Sequence, residues 1–442
     1  MMQNKYKYKD SGIDWLGKVP LTWKMIRSDS VTDYIRNQIN PENIKSEFVF
    51  HFSIPAVQET GTGQYELSED IRSAKQLIKK KSVLISKLNP RKATICIAEP
   101  KDTVTICSSE FIAMEANKCD LKYLYYLVSS EMNRQRLDAR VQSVTRSHQR
   151  VYPSDIYRFW TALPSINEQL LIASYLDRET ARIDALIQKK ERMIGLLKEK
   201  RIALITQAVT KGLNPNVPMK ESGIEWLGEI PEHWIHIVLG RVCTIQGGYA
   251  FDSNNFSDDG YPIVQMSNLK RGVLDFSEAK KYPYELCPQE VELAEGDILI
   301  GLSGSIGESG SLGNYAIVTI DDLPCYLNQR VGRLDISSKL DRGFVLYMIQ
   351  STPFFEQVQL SVTGTAQFNI SPTQLGDIWI ALPPLSEQKN ISLYLDNETS
   401  KIDALTRRIE NSIIILREYR ASLIYHAVTG KIDLRDYDAQ LQ

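Results

Sequence analysis

Two stretches of this chain hold side chains that can pair with phosphate oxygens or with the edges of bases. One is TRSHQRVY (Thr145–Tyr152), which sets Arg146, Ser147, His148, Gln149 and Arg150 in a row. The other is KLNPRK (Lys87–Lys92), placed just after a predicted strand. Arginine forks match guanine and side-chain amides match adenine, while any cation can meet a phosphate. Arg134, Arg136 and Arg140 extend the basic run on its N-terminal side. Further along, SVTGTAQFNISP (Ser361–Pro372) parallels SVTRSHQRVYP (Ser143–Pro153), and its loop TGTAQFNIS offers hydroxyls and amides without cations. GLSGSIGESG (Gly301–Gly310) would admit a close backbone approach or form a hairpin with tight turns. It ends without the G-K-[ST] of a phosphate loop and does not fit G-x-G-x-x-G. A solvated loop has the same composition as any of these, so residue types alone leave both readings open.

Catalytic constellations are absent from the pattern. An amino-methyltransferase needs an Asn/Asp-Pro-Pro-aromatic loop, but Pro-Pro occurs here only after Leu382, in LPPLSEQ. Asn40-Pro41, Asn89-Pro90 and Asn214-Pro215 are never followed by a second proline. Asp258-Asp259 and Asp321-Asp322 read as solvated turns rather than nuclease carboxylates. The six cysteines (Cys96, Cys107, Cys119, Cys243, Cys287, Cys325) form no C-x-x-C pair and do not cluster with the five histidines. Buried free thiols are expected, with no metal site and no disulfide framework.

The elements that must carry these loops emerge from an internal repeat. DSGIDWLGKVPLTW (Asp10–Trp23) recurs as ESGIEWLGEIPEHW (Glu221–Trp234), with eight of fourteen positions identical. ALPSINEQ (Ala162–Gln169) recurs as ALPPLSEQ (Ala381–Gln388), and YLDRETARIDAL (Tyr175–Leu186) as YLDNETSKIDAL (Tyr394–Leu405). LITQAVTKG (Leu204–Gly212) is followed in the second copy by LIYHAVTGK (Leu423–Lys431). Between these blocks the halves share only traces, such as VLIS (Val83–Ser86) beside ILIG (Ile298–Gly301). A period this long describes a whole domain plus a helix.

The helix is predicted after Pro164 and after Pro383-Pro384, with no proline again before Thr210 or Thr429. Every seventh residue reads Leu176, Ile183, Lys190, Leu197, Leu204 in one copy and Leu395, Ile402, Ile409, Leu416, Leu423 in the other. That is a coiled-coil seam, with Lys190 as a candidate register-fixing residue opposite the pattern of Ile409. About 43 residues at ~1.5 Å each extend about 65 Å, too far for one small core to cover. The linker KGLNPNVPM (Lys211–Met219) stops the first helix before the second half begins. Domain, helix, domain, helix closes if the helices are antiparallel, with a domain at each end of a rod and a pseudo-twofold axis between them. Short strands at Val83–Ser86, Thr94–Ala98, Phe111–Glu115, Ile298–Leu302 and Tyr315–Ile320, with helices near Leu121–Ser130 and Gly343–Ile349, make the fold class α+β. The expected division is 1–160, a first α/β domain; 161–218, spacer helix and linker; 219–380, a second α/β domain; and 381–442, a second spacer helix.

Composition sets further bounds. The chain of 442 residues is 43% hydrophobic and 24% charged, with a net charge of −2 that excludes a uniformly basic binder. The halves differ sharply: residues 1–160 hold 25 Lys+Arg against 18 Asp+Glu, and residues 221–380 hold 9 against 21. Net values of +7 and −12 follow from those counts. Phosphate neutralisation dominates duplex affinity, so the acidic half must turn its carboxylates away or rely on a basic partner. No apolar run approaches the ~18 residues of a membrane span. The opening MMQNKYKYKDSGIDW lacks the apolar core of a signal peptide, so a cytoplasmic location is expected.

The duplicated set SGIDWLGKVPLTW/SGIEWLGEIPEHW, LP-x-x-x-EQ and YLD-x-ET-x-x-IDAL resembles the specificity subunits of type I restriction-modification systems. GDILIGLSGSIG (Gly296–Gly307), YLNQRVGRLDI (Tyr326–Ile336) and GTAQFNIS (Gly364–Ser371) are similar to that family's target-recognition domains. The likeness runs through essentially the whole chain, in order, in both halves. It implies two target-recognition domains held by two long antiparallel coiled-coil helices, each domain reading half of a bipartite, asymmetric duplex DNA target across an unread gap. It also implies two adenine-methyltransferase subunits docked on the helices, with S-adenosylmethionine bound by those partners and no cofactor on this chain. Restriction-translocase subunits join for cleavage, and the chain itself is non-catalytic. A coiled-coil scaffold that touches no DNA is the rival reading.

The residues expected at base edges or phosphates are Lys87, Arg91, Lys92, Arg146, Ser147, His148 and Arg150 in the first domain. In the second they are Ser303, Ser305, Thr363, Thr365, Gln367 and Asn369. Trp15, Trp23, Trp226 and Trp234 are expected to pack the repeated lead-in segments onto their domains. Arg178, Arg182, Arg407 and Arg408 are expected on solvated helix faces.

Overall fold

Both proline-free stretches are single α-helices, Ile166–Lys211 and Leu385–Val428, in the computed structural model of the chain, which describes residues 6–145, 148–305, 311–362 and 368–435. Packing groups the chain into two compact units, 1–190 with 410–442, and 191–409. The chain passes between units at 190/191 and 409/410, both inside the long helices.

In the first unit, Ile95–Ala98, Ser82–Ser86, Phe111–Ala116 and Thr32–Ile35 form an antiparallel sheet in that order. A five-stranded mixed sheet runs Gln38–Ile39, Lys75–Leu77, Val104–Ser108, Phe48–Phe52, Gln64–Leu67, with Val104–Ser108 parallel to Phe48–Phe52. Phe50, Phe52, Leu84, Cys107 and Phe111 share one buried cluster. The helix Leu121–Ser129 starts where the Asp120 carboxylate accepts from the Tyr123 N–H at 2.7 Å, meeting one of the orphan donors of the first turn.

The second unit has the corresponding sheet, Cys243–Gly247, Val331–Ile336, Ile298–Gly301, Tyr315–Ile317, again antiparallel. A smaller sheet joins Lys281–Tyr282, Tyr261–Val264 and Tyr326–Leu327. Asp341 caps the helix Arg342–Met348 as Asp120 does its own, accepting from the Phe344 N–H at 3.0 Å. The predicted strands and helices thus fall within a residue or two of the observed ones, except that Tyr315–Ile317 ends earlier.

Internal contacts explain the repeated words. Trp23 and Trp234 are completely buried. Each indole N–H donates to the Glu of its LP-x-x-x-EQ block, Glu168 at 3.4 Å and Glu387 at 2.9 Å. The neighbouring glutamines are buried clamps. Gln169 accepts from the Asp120 N–H (2.8 Å) and donates to Pro164 O (2.9 Å), and Gln388 does the same with Asp341 (2.8 Å) and Pro383 (2.8 Å). In YLD-x-ET, Leu176 and Leu395 are fully buried, while Asp177 and Asp396 accept from the hydroxyls of Tyr126 (2.8 Å) and Tyr347 (2.7 Å). Thr180 and Thr399 sit 3.2 Å from those same tyrosine oxygens. Gly17 and Gly228 hold positive φ (64° and 55°), a backbone that suits glycine, just before the hairpin strands Lys18–Pro20 and Glu229–Pro231. The half-buried Trp15 and Trp226 lie in the same lead-in turns.

Each unit contains one end of each long helix, and in each the two run antiparallel. In the first unit, Asp184 pairs with Arg420 at 2.9 Å, while Trp23, bound to Glu168 in the first turn, also packs against Gly430 beyond the other helix's end. In the second, Asp403 pairs with Arg201 at 3.1 Å, and Trp234, bound to Glu387, abuts Gly212. These ion pairs are partly exposed, worth about 0–1 kcal/mol, so apolar burial carries the helix contact. Leu176, Ile183 and Leu423 are buried in the first unit and Leu395, Ile402 and Ile409 in the second; Lys190, Leu197, Leu204 and Leu416 are half-buried. All six cysteines are free, and burial pushes Cys96, Cys107, Cys119, Cys243 and Cys325 up to about 12. Thiols so protonated are poor nucleophiles.

Candidate nucleic-acid interface

In the first unit the strand Ser82–Ser86 leads straight into the Lys87–Lys92 loop. Asn89 takes a left-handed conformation (φ 50°), which asparagine tolerates better than bulky residues. This places the loop beside the hairpin formed by Gln142–Thr145 and His148–Arg150. Asn89 N donates to Gln149 O at 2.7 Å, Gln149 N to the Asn89 side chain at 3.3 Å, and Val151 N to Lys87 O at 3.1 Å. The two basic clusters singled out in the sequence, 50 or more positions apart, are therefore one structural element.

Two of their arginines are held by carboxylates. Arg150 donates from Nη2 to Glu110 at 2.9 Å, and Arg91 from Nε to Asp138 at 2.7 Å. Lys87 is half-buried and Lys92 exposed. His148 lies in the second hairpin strand, whereas Arg146 and Ser147 lie outside the described residues. The basic run is not a single surface. Arg136 is buried, bonded to Asn133 (2.7 Å) and to Asp155 O (2.8 Å), and stacked on Phe159 at 4.6 Å. Burial lowers its pKa to about 10, and its role is to join the helix Glu131–Asp138 to the segment behind it. Arg134 is tied to Glu131, and Arg140 lies 3.7 Å from Asp155.

The second unit builds the same junction from different side chains. Ser303–Gly304 pairs with Phe368–Asn369, and Ile370 N donates to Leu302 O at 2.9 Å. Ser303 is fully buried and donates to the Asn369 side-chain oxygen at 2.6 Å; Ser305 is exposed. Thr363, Thr365 and Gln367 lie outside the described residues. Arg330, which residue-type reasoning passed over, donates from Nη1 to the same Asn369 oxygen at 2.7 Å. Glu110 was passed over as well. Both sit immediately before a long buried strand, Phe111–Ala116 or Val331–Ile336, and a charge at that place in each half was the available signal.

The carboxylates read as turns are turns. Asp322 caps a short turn through Thr319 N at 2.7 Å, and Asp259 accepts from Tyr284 at 3.1 Å. Among the described residues, no group of three or more His, Cys, Asp or Glu could hold a metal ion, and no helix is long and apolar enough to cross a membrane.

The fold and its duplicated strand-end junctions define a protein of two similar α+β units, each containing an antiparallel pair of long-helix ends. Residues 231–414 match the type I restriction modification DNA specificity domain. Over 423 residues the chain is 24% identical to the MjaVIII type I restriction enzyme specificity subunit of Methanocaldococcus jannaschii, covering 95% of each. Among solved structures, a chain of a type I restriction-modification system, determined to explain complex assembly and conformational transition, superposes with TM-score 0.74 at 19% identity, over 94% of this chain and 99% of that one. The HsdS subunit of Thermoanaerobacter tengcongensis does so with TM-score 0.50 at 20% identity, over 94% and 98%. The chain is thus similar over nearly its whole length to type I restriction enzyme specificity subunits, and its residues 231–414 match the DNA specificity domain.

Proposed function

We propose that this chain reads a bipartite, asymmetric double-stranded DNA target, one half-site per domain, with residues 1–160 and 219–380 as the two readers. The observation that carries this reading is the junction built twice: a strand end and a second short strand, stitched by equivalent backbone hydrogen bonds, each presenting a held guanidinium. Lys87, Arg91, Lys92, Arg146, Ser147, His148 and Arg150 serve the first half-site, and Ser305, Thr363, Thr365, Gln367 and Asn369 the second, where the fully buried Ser303 holds Asn369 rather than meeting DNA itself.

The helical segments, 161–218 and 381–442, dock two adenine-methyltransferase subunits, which bind S-adenosylmethionine and carry out the chemistry; restriction-translocase subunits join them in the cytoplasm. This chain is non-catalytic. Large apolar side chains exposed along both helices, Leu186, Met193, Leu196 and Ile202 on the first and Leu393, Leu405, Ile414 and Ile415 on the second, support a docking role. The seam Leu176, Ile183, Leu197, Leu204, Leu395, Ile402, Ile409, Leu416 and Leu423 pairs the helices, and because the chain crosses between units only within them, they set the gap between half-sites. A heptad inserted into each helix at the unit boundary should lengthen the gap while leaving both half-site sequences as they were. Methylome sequencing checks this, and an unchanged gap would refute it.

Gel-shift titration at several salt concentrations, with and without the methyltransferase subunits, tests the whole reading. A log–log salt slope of about −0.9 per phosphate contact is expected. A coiled-coil scaffold that avoids DNA would bind in neither case. Within the first domain, Arg150→Ala should weaken binding by about 1–3 kcal/mol and relax one base position. A uniform loss over all sequences, measured by competition, would make Arg150 a phosphate contact instead.

A further inference from the structure

We infer that Arg330 reads a guanine in the half-site of the second domain, as the structural counterpart of the Arg150–Glu110 pair in the first. The inference rests on the recognition reading above and deepens it to a residue and a base.

Backbone register makes the correspondence. Ser86 pairs with Phe111 and Gly301 with Val331, so Glu110 and Arg330 occupy the same place ahead of the same strand. Lys87 N donates to Glu110 O at 2.8 Å, and Leu302 N to Arg330 O at 2.9 Å. On the opposite side, Arg150 bridges Leu88 where Asn369 pairs with Ser303. In the first domain the hairpin supplies the guanidinium and the strand end supplies the oxygen that holds it. In the second domain the two roles are exchanged: Arg330 comes from the strand end, and Asn369 on the strand Phe368–Asn369 supplies the oxygen.

Arg330 is exposed, and among the described residues no carboxylate pairs with it. Arg333, three positions on, lies between Asp297 (3.5 Å) and Asp335 (3.1 Å). Arg241 and Arg342 of the same segment are exposed too, so what distinguishes Arg330 is its place at the junction, where Asn369 holds it. Its backbone is pinned. The buried Asn328 side chain accepts from Arg330 N at 3.2 Å, and Asn328 O accepts from Val331 N at 2.9 Å. Tyr249 backs this turn through Leu327 O and Gln329 N, both at 2.9 Å. That approach requires Gly248, where a Cβ would fall 2.3 Å from Leu327 O. A guanidinium on so fixed a support loses little freedom on binding, and its fork matches guanine O6 and N7.

The test uses the full chain assembled with its methyltransferase subunits and a set of duplexes in which each target base is replaced in turn. Wild type should discriminate against loss of one guanine by roughly ten- to a hundredfold. Arg330→Ala should lose that discrimination alone, with the other half-site read as before. Arg330→Lys keeps the charge but not the fork, so it should lose the same discrimination while keeping the salt slope; it serves if the alanine variant fails to accumulate. Unchanged discrimination at every base, or equal weakening on all sequences, overturns the assignment of Arg330. Wild-type protein that shows no sequence preference overturns the recognition reading itself.

Discussion

Trp234→Ala should destabilise the second unit by about 3–5 kcal/mol, near the top of the range for removing a large buried side chain. The indole is fully buried in the main cluster of that unit, beside Ile205, Val209 and Leu395. It joins three sequence-distant parts: its own lead-in segment, the first turn of the second long helix through Glu387 at 2.9 Å, and the end of the first long helix at Gly212. Trp234→Phe keeps most of the buried area but removes the donor, leaving Glu387 with His233 at 2.7 Å, and should cost about 1–2 kcal/mol. Gly212 has φ 77°, and a Cβ there would meet the indole at 3.1 Å, so Gly212→Ala should destabilise the same corner by backbone strain and crowding together. Denaturant unfolding followed by hydrogen exchange would locate the effect. Trp234→Ala with an unchanged midpoint would show that this junction does not hold the helix ends to the domain.

That corner also explains how far sequence reasoning reached. The repeated words were legible because they are local: two tryptophans, a Glu-Gln pair and a Leu-Asp/Thr step recur at fixed spacing, and each proves to be one contact set. The long helices were legible because proline is absent and the apolar period persists for over forty residues. Other features depend on partners distant in the chain. Arg136 belongs to a basic run, yet Asn133, the carbonyl of Asp155 and the ring of Phe159 let it be buried. Nothing in residue type separates it from exposed Arg91. The two-residue strand Gln38–Ile39 is too short to show any period, and Phe48–Phe52 reads as an apolar run without alternation because four of its five residues are buried. Lys87 and Arg150 were singled out from separate segments, and only the hydrogen bonds around Asn89 show that they share a surface. Glu110 and Arg330 escaped because their importance lies in register, which a single chain does not display.

The acidic balance of the second domain throws the electrostatic burden onto the first, so charge reversal there should have the largest effect on DNA affinity. Replacing Lys87, Arg91 and Lys92 together by Glu should lower affinity by at least about a hundredfold near 0.1 M salt, since a repulsion takes the place of each attraction to phosphate. If all three meet phosphates, the log–log salt slope should become less steep by about 2.7, at 0.9 per phosphate. The triple variant should keep its preference among sequences, because phosphate contacts carry register rather than sequence. Arg91 contributes on the condition that it leaves Asp138; the pair is exposed enough that separating it costs about 1 kcal/mol or less. Lys87 needs no such release, and the loop is anchored within itself by the buried Pro90 and by its backbone hydrogen bonds to Gln149 and Val151. Folding should therefore survive the reversal, which thermal unfolding can verify beside the titration. A triple variant with wild-type affinity and slope would mean that this loop does not face the duplex, and the cations that bring DNA to the protein would have to belong to its partners.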